Sequence, residues 1–242
     1  MKRLFYFSTM SLLMAFTLTA FAIEDYDPEA QKLKAEMEAA MKKADPKVIK
    51  QLEAGNKKVA KQLPNPGLKV GTKAPNFTLQ NQDGKPVSLN ELLKKGPVII
   101  SFYRGAWCPY CNLQINNLVK NYKHFKPYNA QLVAITPQKP DKSLLQYTKA
   151  KVPFPILSDL NNSVMKAYNV LFQLPEELIV SYSQFGIDLA DYNGEKRWVL
   201  PVPATYVLDQ KGVIRSVFAD IDYTKRMEPK VIVETLAKVS KP

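Results

Sequence analysis

Apolar and polar positions follow two different periods along this chain, and the change of period marks its elements. Residues 98–103 form a nearly continuous apolar run, which is typical of a buried central strand. Residues 109–124 place apolar side chains at helical spacing, and residues 132–135 form a second apolar run. Together these segments predict a β-α-β unit with a right-handed parallel crossover.

Two pairs of short strands flank turn sequences. Residues 77–79 and 87–89 lie on either side of an Asp-Gly turn, and residues 204–208 and 213–218 lie on either side of Asp-Gln-Lys-Gly, so each pair predicts a β-hairpin. Residues 170–200 have no clear period, and we expect them to be irregular. The other expected elements are a helix near 141–150, a strand at 155–157, a helix near 160–168 and a closing helix at 229–239.

The segment before residue 64 differs from this pattern. Residues 28–63 are rich in Ala, Lys, Glu and Gln, and their apolar side chains recur at helical spacing. Asp45 and Pro46 are typical of an N-cap and a first helical position, so we expect the helix to break and restart there. The extension either packs on its own domain or forms a homodimer with a second copy, and a Pro-Asn-Pro-Gly linker follows it.

The first 22 residues carry the pattern of a secretory signal peptide. Lys2 and Arg3 precede a stretch without charge, and the sequence Ala-Phe-Ala ends that stretch at residue 22. We therefore expect a periplasmic or secreted protein without stable membrane insertion after cleavage. An uncleaved membrane anchor is the alternative, since the apolar stretch is just long enough to span a bilayer.

These patterns divide the chain into a signal peptide at 1–22, a helical extension at 23–63 and an α/β domain at 64–242. Of the 242 residues, 46% are hydrophobic, which is enough for a core, and two cysteines are too few for a disulfide scaffold. The net charge of +12 comes mostly from dispersed lysines rather than from an arginine-rich run. We therefore expect a solvated basic surface and no nucleic-acid partner.

The two cysteines, Cys108 and Cys111, occur where the buried strand ends and the helix begins. A helix N-terminus carries unpaired N–H groups and the positive end of the helix dipole, which stabilise a thiolate. Residues three apart lie on one helical turn, so the two sulfurs can reach each other. Pro109 falls at the first helical position, where a proline loses no hydrogen bond. The spacing predicts a redox-active dithiol–disulfide pair that needs no further cofactor.

The position of each cysteine predicts its role. Cys108, at the helix tip, should be exposed, should have the lower pKa and should attack, whereas Cys111 should be shielded and should resolve the mixed disulfide. Arg104 adds positive charge nearby. A zinc site needs four ligands, and the chain offers only His124 besides the two cysteines. An inert structural disulfide is the other alternative, and it would close only a small loop.

A second candidate feature precedes the strand at 204–208. Pro203 stands directly before this buried strand, where a proline removes a donor from the sheet. A cis Val202–Pro203 peptide would turn the chain toward the cysteines and present a backbone edge to a partner. A trans turn proline is the alternative. Thr205, in the same segment, is a supporting candidate for the site.

These residues resemble the active site of a known superfamily. Pro203 matches the position of the cis-proline of the thioredoxin fold. The thioredoxin and glutaredoxin active-site motif is similar to the five residues Trp107-Cys108-Pro109-Tyr110-Cys111. The resemblance implies a thioredoxin-like fold, with a central mixed sheet flanked by helices and preceded here by the helical extension. It also implies supporting roles for the residues between and before the cysteines.

The wider sequence resembles the alkyl hydroperoxide reductase/thiol-specific antioxidant family, the peroxiredoxins. Residues 71–79 resemble that family's opening hairpin, residues 98–104 the strand before its active site, and residues 204–212 its late hairpin. The resemblance extends over roughly residues 68–240 and is closest to the peroxiredoxin-like proteins that carry a C-x-x-C motif.

The departures from the family pattern bear on function. Cys111 aligns with the peroxidatic cysteine, so that Cys108 takes the position of the family's Thr, Arg104 that of its Pro, and Pro203 that of its distant Arg. The residues that activate a peroxide are thus replaced, whereas those of a disulfide exchanger are present. We therefore expect an exported thiol–disulfide oxidoreductase that acts on protein thiols or disulfides, or exchanges electrons with a donor redox protein. A thiol-dependent peroxidase and a non-enzymatic binding module are the two alternatives.

Overall fold

The structure is a computed structural model that describes residues 22–240. The stretch that carries the signal-peptide pattern, apart from Ala22, lies outside the described residues. Within residues 22–240, no helix is long and apolar enough to cross a membrane. The signal peptide and the membrane-anchor alternative therefore stay predictions.

Helices and strands alternate along most of the described chain. The helices are α1 (Asp27–Met41), α2 (Pro46–Gln62), α3 (Leu89–Lys95), α4 (Pro109–Phe125), α5 (Pro140–Lys149), α6 (Ser163–Ala167), α7 (Glu176–Gln184), α8 (Leu189–Asn193) and α9 (Pro229–Val239), and a 3₁₀ turn spans Lys126–Tyr128. The strands are β1 (Thr78–Asn81), β2 (Pro86–Ser88), β3 (Val98–Phe102), β4 (Gln131–Thr136), β5 (Ile156–Ser158), β6 (Leu171–Gln173), β7 (Val199–Pro201), β8 (Ala204–Leu208) and β9 (Ile214–Ala219).

One mixed sheet forms the centre of the described part. It has seven strands in the order β2-β1-β5-β4-β3-β8-β9, and β6 pairs with β7 in a separate ribbon. Strand β3 runs parallel to β4 and antiparallel to β8. The expected β-α-β unit is β3-α4-β4, and the two expected hairpins are β1-β2 and β8-β9. The predicted fold class, an α/β thioredoxin-like fold with a helical extension, is confirmed.

Strand β3 places the site because it divides two apolar cores. All five residues of β3 are buried. Ile100 and Phe102 point into a core that α2 and α7 also enter, whereas Ile99 points into a second core with α4 and α9. This alternation follows from the two-residue period of a strand. Both cysteines belong to the second core.

The expectation that residues 170–200 are irregular is wrong. This part of the chain contains β6, α7, α8 and β7. Its apolar residues face partners on separate elements, since Leu178 contacts α2 while Leu200 belongs to the β6-β7 ribbon. Each of these short elements contributes only one or two large side chains to the same core, which leaves no single hydrophobic period in the sequence.

The N-terminal extension consists of α1 and α2, and it breaks where the sequence predicts. The Asp45 side chain accepts a hydrogen bond from the Lys47 N–H at 2.8 Å, as an N-cap does. Helix α1 packs on α4 and helix α2 packs on α7. The extension therefore covers its own domain, while homodimerisation through it and the division into domains stay predictions.

Close packing and hydrogen bonds hold the extension in place. Gly55 of α2 lies so near α7 that a Cβ there would stand 2.5 Å from Leu178 Cγ. The side-chain amides of Asn117 and Asn121, on α4, both donate to the Glu24 carbonyl at 2.9 Å. The linker is held as well, since the Asn169 side-chain amide donates to the Asn65 carbonyl at 2.8 Å.

Candidate functional site

The loop between β3 and α4 fixes the position of the two cysteines. Cys108 is the N-cap residue of α4, and its carbonyl accepts the first helical hydrogen bond, from the Asn112 N–H at 3.0 Å. Pro109 occupies the first helical position, as predicted. Gly105 has a φ of 147°, and a Cβ there would lie 2.6 Å from Trp107 Nε1, so only glycine fits beneath the indole.

A closed ring of hydrogen bonds supports this loop from behind. The Gln138 side-chain oxygen accepts from the Ala106 N–H at 3.0 Å, and the Asn112 amide donates to the Ala106 carbonyl at 2.7 Å. Gln146 joins Asn112 to the Tyr103 hydroxyl, and that hydroxyl accepts from Gln138. Because every member is paired, the ring holds the Ala106 peptide, and hence the start of α4, in one place.

Both cysteines are free thiols, and both are buried. Cys108 is only 2% exposed and Cys111 is not exposed. The prediction that Cys108 is exposed at the helix tip is therefore wrong. The reason is that residues outside the β3-α4-β4 unit cover it, from the extension and from the segment around α7.

The electrostatics of the pair also reverse the predicted order. Burial, together with its hydrogen bond to Cys111, raises the pKa of the Cys108 thiol. Burial opposes ionisation of Cys111 too, but the hydrogen bond from Cys108 and the guanidinium groups of Arg226 and Arg104 outweigh it and lower the pKa of Cys111 to about 6. The prediction that Cys108 has the lower pKa is thus wrong. The surroundings favour the ionised form of Cys111 over that of Cys108.

Arg226 is the functional residue that the sequence analysis missed. Its Nη2 donates to Cys111 Sγ at 3.4 Å, and its Nε donates to Gln114 Oε1 at 2.6 Å. Gln114 in turn donates to the hydroxyls of Ser101 and Thr205 at 3.1 and 3.3 Å. The sequence offered one indication of Arg226, namely that arginine is rare in this lysine-rich chain and occurs only five times.

Aromatic side chains enclose Arg104. Its guanidinium carbon lies 5.0, 5.3 and 4.6 Å from the ring centroids of Trp107, Tyr182 and Tyr223. Its Nη2 donates to the Tyr182 hydroxyl. Such cation–π contacts hold a guanidinium without a carboxylate. The charge of Arg104 acts against burial at both sulfurs, in the direction that lowers each thiol pKa.

An apolar cavity of about 520 Å³ opens beside Cys108. Met37 of α1, Leu52 of α2 and Phe185 after α7 contribute to its wall, together with Arg104. The described residues that line it include Cys108 but not Cys111. Among the predicted supporting residues, Trp107, Pro109 and Tyr110 also lie on this wall.

Pro203 and Thr205 lie on the other side of the site. Thr205 is buried in β8 and accepts from Gln114, so it supports the Arg226 side. Pro203 is buried beside Arg104 and Tyr223. The predicted cis Val202–Pro203 peptide is wrong, since residues 22–240 contain no cis peptide bond. The Val202 N–H donates to the Val170 carbonyl at 2.7 Å, which keeps the chain extended between β7 and β8.

The sequence of this chain is similar to one protein family and to several individual proteins. The model of the AhpC/TSA family matches residues 70–217. Peroxiredoxin Q from the chloroplast of Populus jackii is 34% identical over 162 residues, which are 66% of this chain and 63% of that protein. The chain therefore spans somewhat less than two thirds of the poplar protein. The thiol-disulfide oxidoreductase ResA of Bacillus subtilis is 34% identical over 96 residues, covering 39% of this chain and 52% of ResA.

A solved structure gives the same fold. The crystal structure of peroxidoxin BcpB from Mycobacterium tuberculosis matches with a TM-score of 0.56 and 22% identity, covering 71% of this chain and 98% of that one. Both α1 and α2, and also Arg226, lie outside the residues that the family model matches. The matched residues contain the central strands, both cysteines and Arg104. The chain belongs to the AhpC/TSA family, within the thioredoxin superfamily.

Proposed function

We propose that this protein is a thiol-dependent peroxidase in which Cys111 is the attacking thiolate and Cys108 is the resolving thiol. One observation carries the proposal: the Arg226 guanidinium contacts Cys111 Sγ at 3.4 Å inside a buried site. The family pattern has an arginine at the position of Pro203, and Arg226 supplies that positive charge here instead. The relatives named as peroxiredoxins support the same reaction class.

The reaction uses both thiols once. The Cys111 thiolate attacks one oxygen of a hydroperoxide, ROOH, so that the O–O bond breaks and an S–O bond forms. The products are Cys111 sulfenic acid and RO⁻, which takes a proton from solvent and leaves as ROH. The Cys108 thiol then attacks the Cys111 sulfur, which forms the disulfide and releases water. A dithiol electron donor reduces the disulfide and restores both thiols.

The two arginines have different tasks in this scheme. Arg226 stabilises the Cys111 thiolate directly and stands where it can donate to the oxygen that accumulates charge as the O–O bond breaks. Arg104 is 4% exposed and is held by its aromatic neighbours, so its charge acts at a fixed place on the cavity side. Gln114 positions Arg226 and does not itself contact the sulfur.

Chemical trapping tests the assignment of roles. In Cys108→Ser, peroxide should convert Cys111 to a sulfenic acid that cannot be resolved, and dimedone should label Cys111, as read by peptide mass. The matched variant Cys111→Ser should react slowly with peroxide and take up no dimedone. Dimedone on Cys108 of the Cys111→Ser protein, formed at the wild-type rate, would refute the proposal.

Thiol–disulfide exchange is the second candidate, and a specific observation favours it. Cys108 lines a cavity large enough for a side chain of a partner protein. In that reaction Cys108 attacks a partner's disulfide and Cys111 resolves the mixed disulfide. Insulin reduction measured beside peroxide consumption separates the two: exchange predicts that Cys111→Ser traps mixed disulfides, whereas the peroxidase predicts that it traps none. A binding module would be indifferent to loss of both cysteines.

We also propose that the protein works outside the cytoplasm with a dithiol redox partner. The support is the basic, uncharged and small-residue order of the first 22 residues. N-terminal sequencing of protein from its native compartment should give a chain that starts near Ile23. A chain that still starts at Met1 and fractionates with membranes would favour the anchor.

A further inference from the structure

The site contains two buried cations and too little negative charge to balance them. Arg104 and Arg226 are 4% and 6% exposed. Among the ion pairs of residues 22–240, none joins either guanidinium to a carboxylate. Within the described part of the chain, Arg104 Nε has no hydrogen-bond partner. A buried charge is costly unless it is paired, so the site has capacity for an anion.

This capacity depends on the redox state of the cysteines. In the dithiol form the Cys111 thiolate supplies one negative charge against the two guanidinium groups. Disulfide formation removes two electrons, which the hydroperoxide or another disulfide-forming oxidant accepts, together with the Cys108 proton. The sulfurs are then neutral, and both guanidinium groups lose their counter-charge. The oxidised site therefore attracts an anion more strongly than the reduced site does.

The cavity beside Cys108 determines what kind of anion fits. Its volume of about 520 Å³ lies within the usual range for ligand sites, roughly 300–1,000 Å³. Met37, Met41 and Leu52 from the extension line it, and so does Phe185. A small inorganic anion would leave these surfaces empty, whereas an anion with an apolar body would cover them.

The charges at the rim do not supply the missing counter-charge. Lys34 and Glu38 both line the cavity, and they form an exposed pair with each other at 4.0 Å. Their opposite charges offset one another there, and exposed pairs are weak. Arg104 is thus the cation that faces the cavity from a buried position.

We propose that this cavity binds an organic carboxylate with an apolar body, and that the disulfide form binds it more tightly than the dithiol form. The carboxylate pairs with the Arg104 guanidinium, and the apolar body lies against α1, α2 and Phe185. The inference goes beyond the proposed peroxidase reaction, because it concerns a ligand that binds without turnover. The contacts from α1 and α2 come from residues before the part that matches the family model.

Direct binding measurements test the ligand class. Decanoate is the probe, decanol is the matched neutral molecule, and acetate is the matched anion without an apolar body. Calorimetry with the full mature chain should show decanoate binding about tenfold more tightly to the disulfide form than to the dithiol form, the size expected for one charge-assisted contact. Decanol should bind weakly and without a redox difference, and acetate should not bind. Equal affinity for decanol and decanoate, or no effect of oxidation, would overturn the proposal.

Two variants of Met41, which lines the cavity, test where the ligand binds. Met41→Glu places a negative charge beside the apolar body and should abolish decanoate binding, whereas Met41→Gln has a similar size without the charge and should keep most of it. Met41 contacts neither sulfur in the proposed reaction, and circular dichroism checks that both variants fold. Unchanged decanoate binding in Met41→Glu would place the ligand elsewhere on the protein and refute the assignment, independently of the peroxidase reaction.

Discussion

The two cysteines lie one helical turn apart, yet their surroundings differ in kind. Around Cys108 most neighbours are apolar or aromatic, with Arg104 among them, and they enclose a cavity. Cys111 lies in the second apolar core, but its sulfur also contacts Arg226, which Gln114 and two backbone carbonyls hold. Cys108 thus faces the cavity, whereas Cys111 contacts the cation that favours its thiolate. The comparison teaches that a C-x-x-C motif alone does not fix which sulfur attacks.

The origin of the two regions differs as well. The Cys108 side is completed by α1, α2 and the segment around α7, whereas the Cys111 side is built from α4, β8 and the loop before α9. The extension nonetheless reaches the second region, since the Tyr26 hydroxyl donates to the Thr224 carbonyl at 2.9 Å. Glu228 fixes the same junction by accepting from the Tyr26 N–H at 2.6 Å. One appended segment therefore contributes to both surroundings.

Removing the cation from the Cys111 side should have the largest effect. Arg226→Gln should lower the rate constant of peroxide oxidation by about 10²–10³, the usual cost of one such donor. The thiolate should also form at a higher pH than in the wild type. Lys225→Gln is the matched control, because the Lys225 side chain points to Asp220 and Asp222 instead. Equal rates for Arg226→Gln and the control would remove the basis of the comparison.

Loosening the same arginine should have a smaller effect. Gln114→Leu removes the acceptor for Arg226 Nε and leaves the hydroxyls of Ser101 and Thr205 without their donor. We expect the peroxide rate to fall about tenfold and the free energy of unfolding to fall by about 1–3 kcal/mol, because buried polar groups lose partners. Stopped-flow Trp fluorescence and urea titration measure the two quantities. A stability loss without any shift in the pH profile of peroxide oxidation would make Gln114 purely structural.

Changing the contact between α2 and α7 should affect stability and leave the Cys111 thiolate unchanged. Gly55→Ala gains helix propensity, but its Cβ would meet Leu178 Cγ at 2.5 Å, so we expect a net loss of about 1 kcal/mol in the free energy of unfolding. In the Leu178→Ala background the same change should become favourable. Urea titration of the four proteins of this cycle gives the coupling. If the changes in the free energy of unfolding are additive, the residues at positions 55 and 178 do not interact across the contact between α2 and α7.

The sequence predicts the parts of the fold that rest on local patterns. The apolar run of β3, the helical spacing of α4 and the turn residues of both hairpins are each sufficient to place their elements. The N-cap at Asp45 is equally local. Residues 170–200 could not be predicted, because Leu178 packs on α2, which lies far earlier in the chain, and because β6 pairs with β7 only at the opposite end of the same segment.

In the candidate site, too, the features that rest on local sequence could be predicted and those that rest on distant residues could not. Cys108, Cys111 and Arg104 are found from spacing and from their place at a helix start. Their relative reactivity could not be predicted, because it depends on Arg226, which is 115 positions from Cys111, and on a cover that comes from the extension. The position of Pro203 was found, but its peptide geometry was not, since the partner Val170 lies in the stretch without a readable period.

At neutral pH the ionised sulfur should be that of Cys111 and not that of Cys108. The pKa of Cys111 is lowered to about 6, so thiolate should form as the pH rises through that value. Ultraviolet thiolate absorbance of the reduced protein, titrated from acid to neutral pH, measures this directly in the wild type and in the two single Cys→Ser variants. We predict that the titration near pH 6 persists in Cys108→Ser, moved upward at most by the altered hydrogen bond, and that it disappears in Cys111→Ser. A titration near pH 6 that persists in Cys111→Ser and disappears in Cys108→Ser would instead assign the thiolate to Cys108.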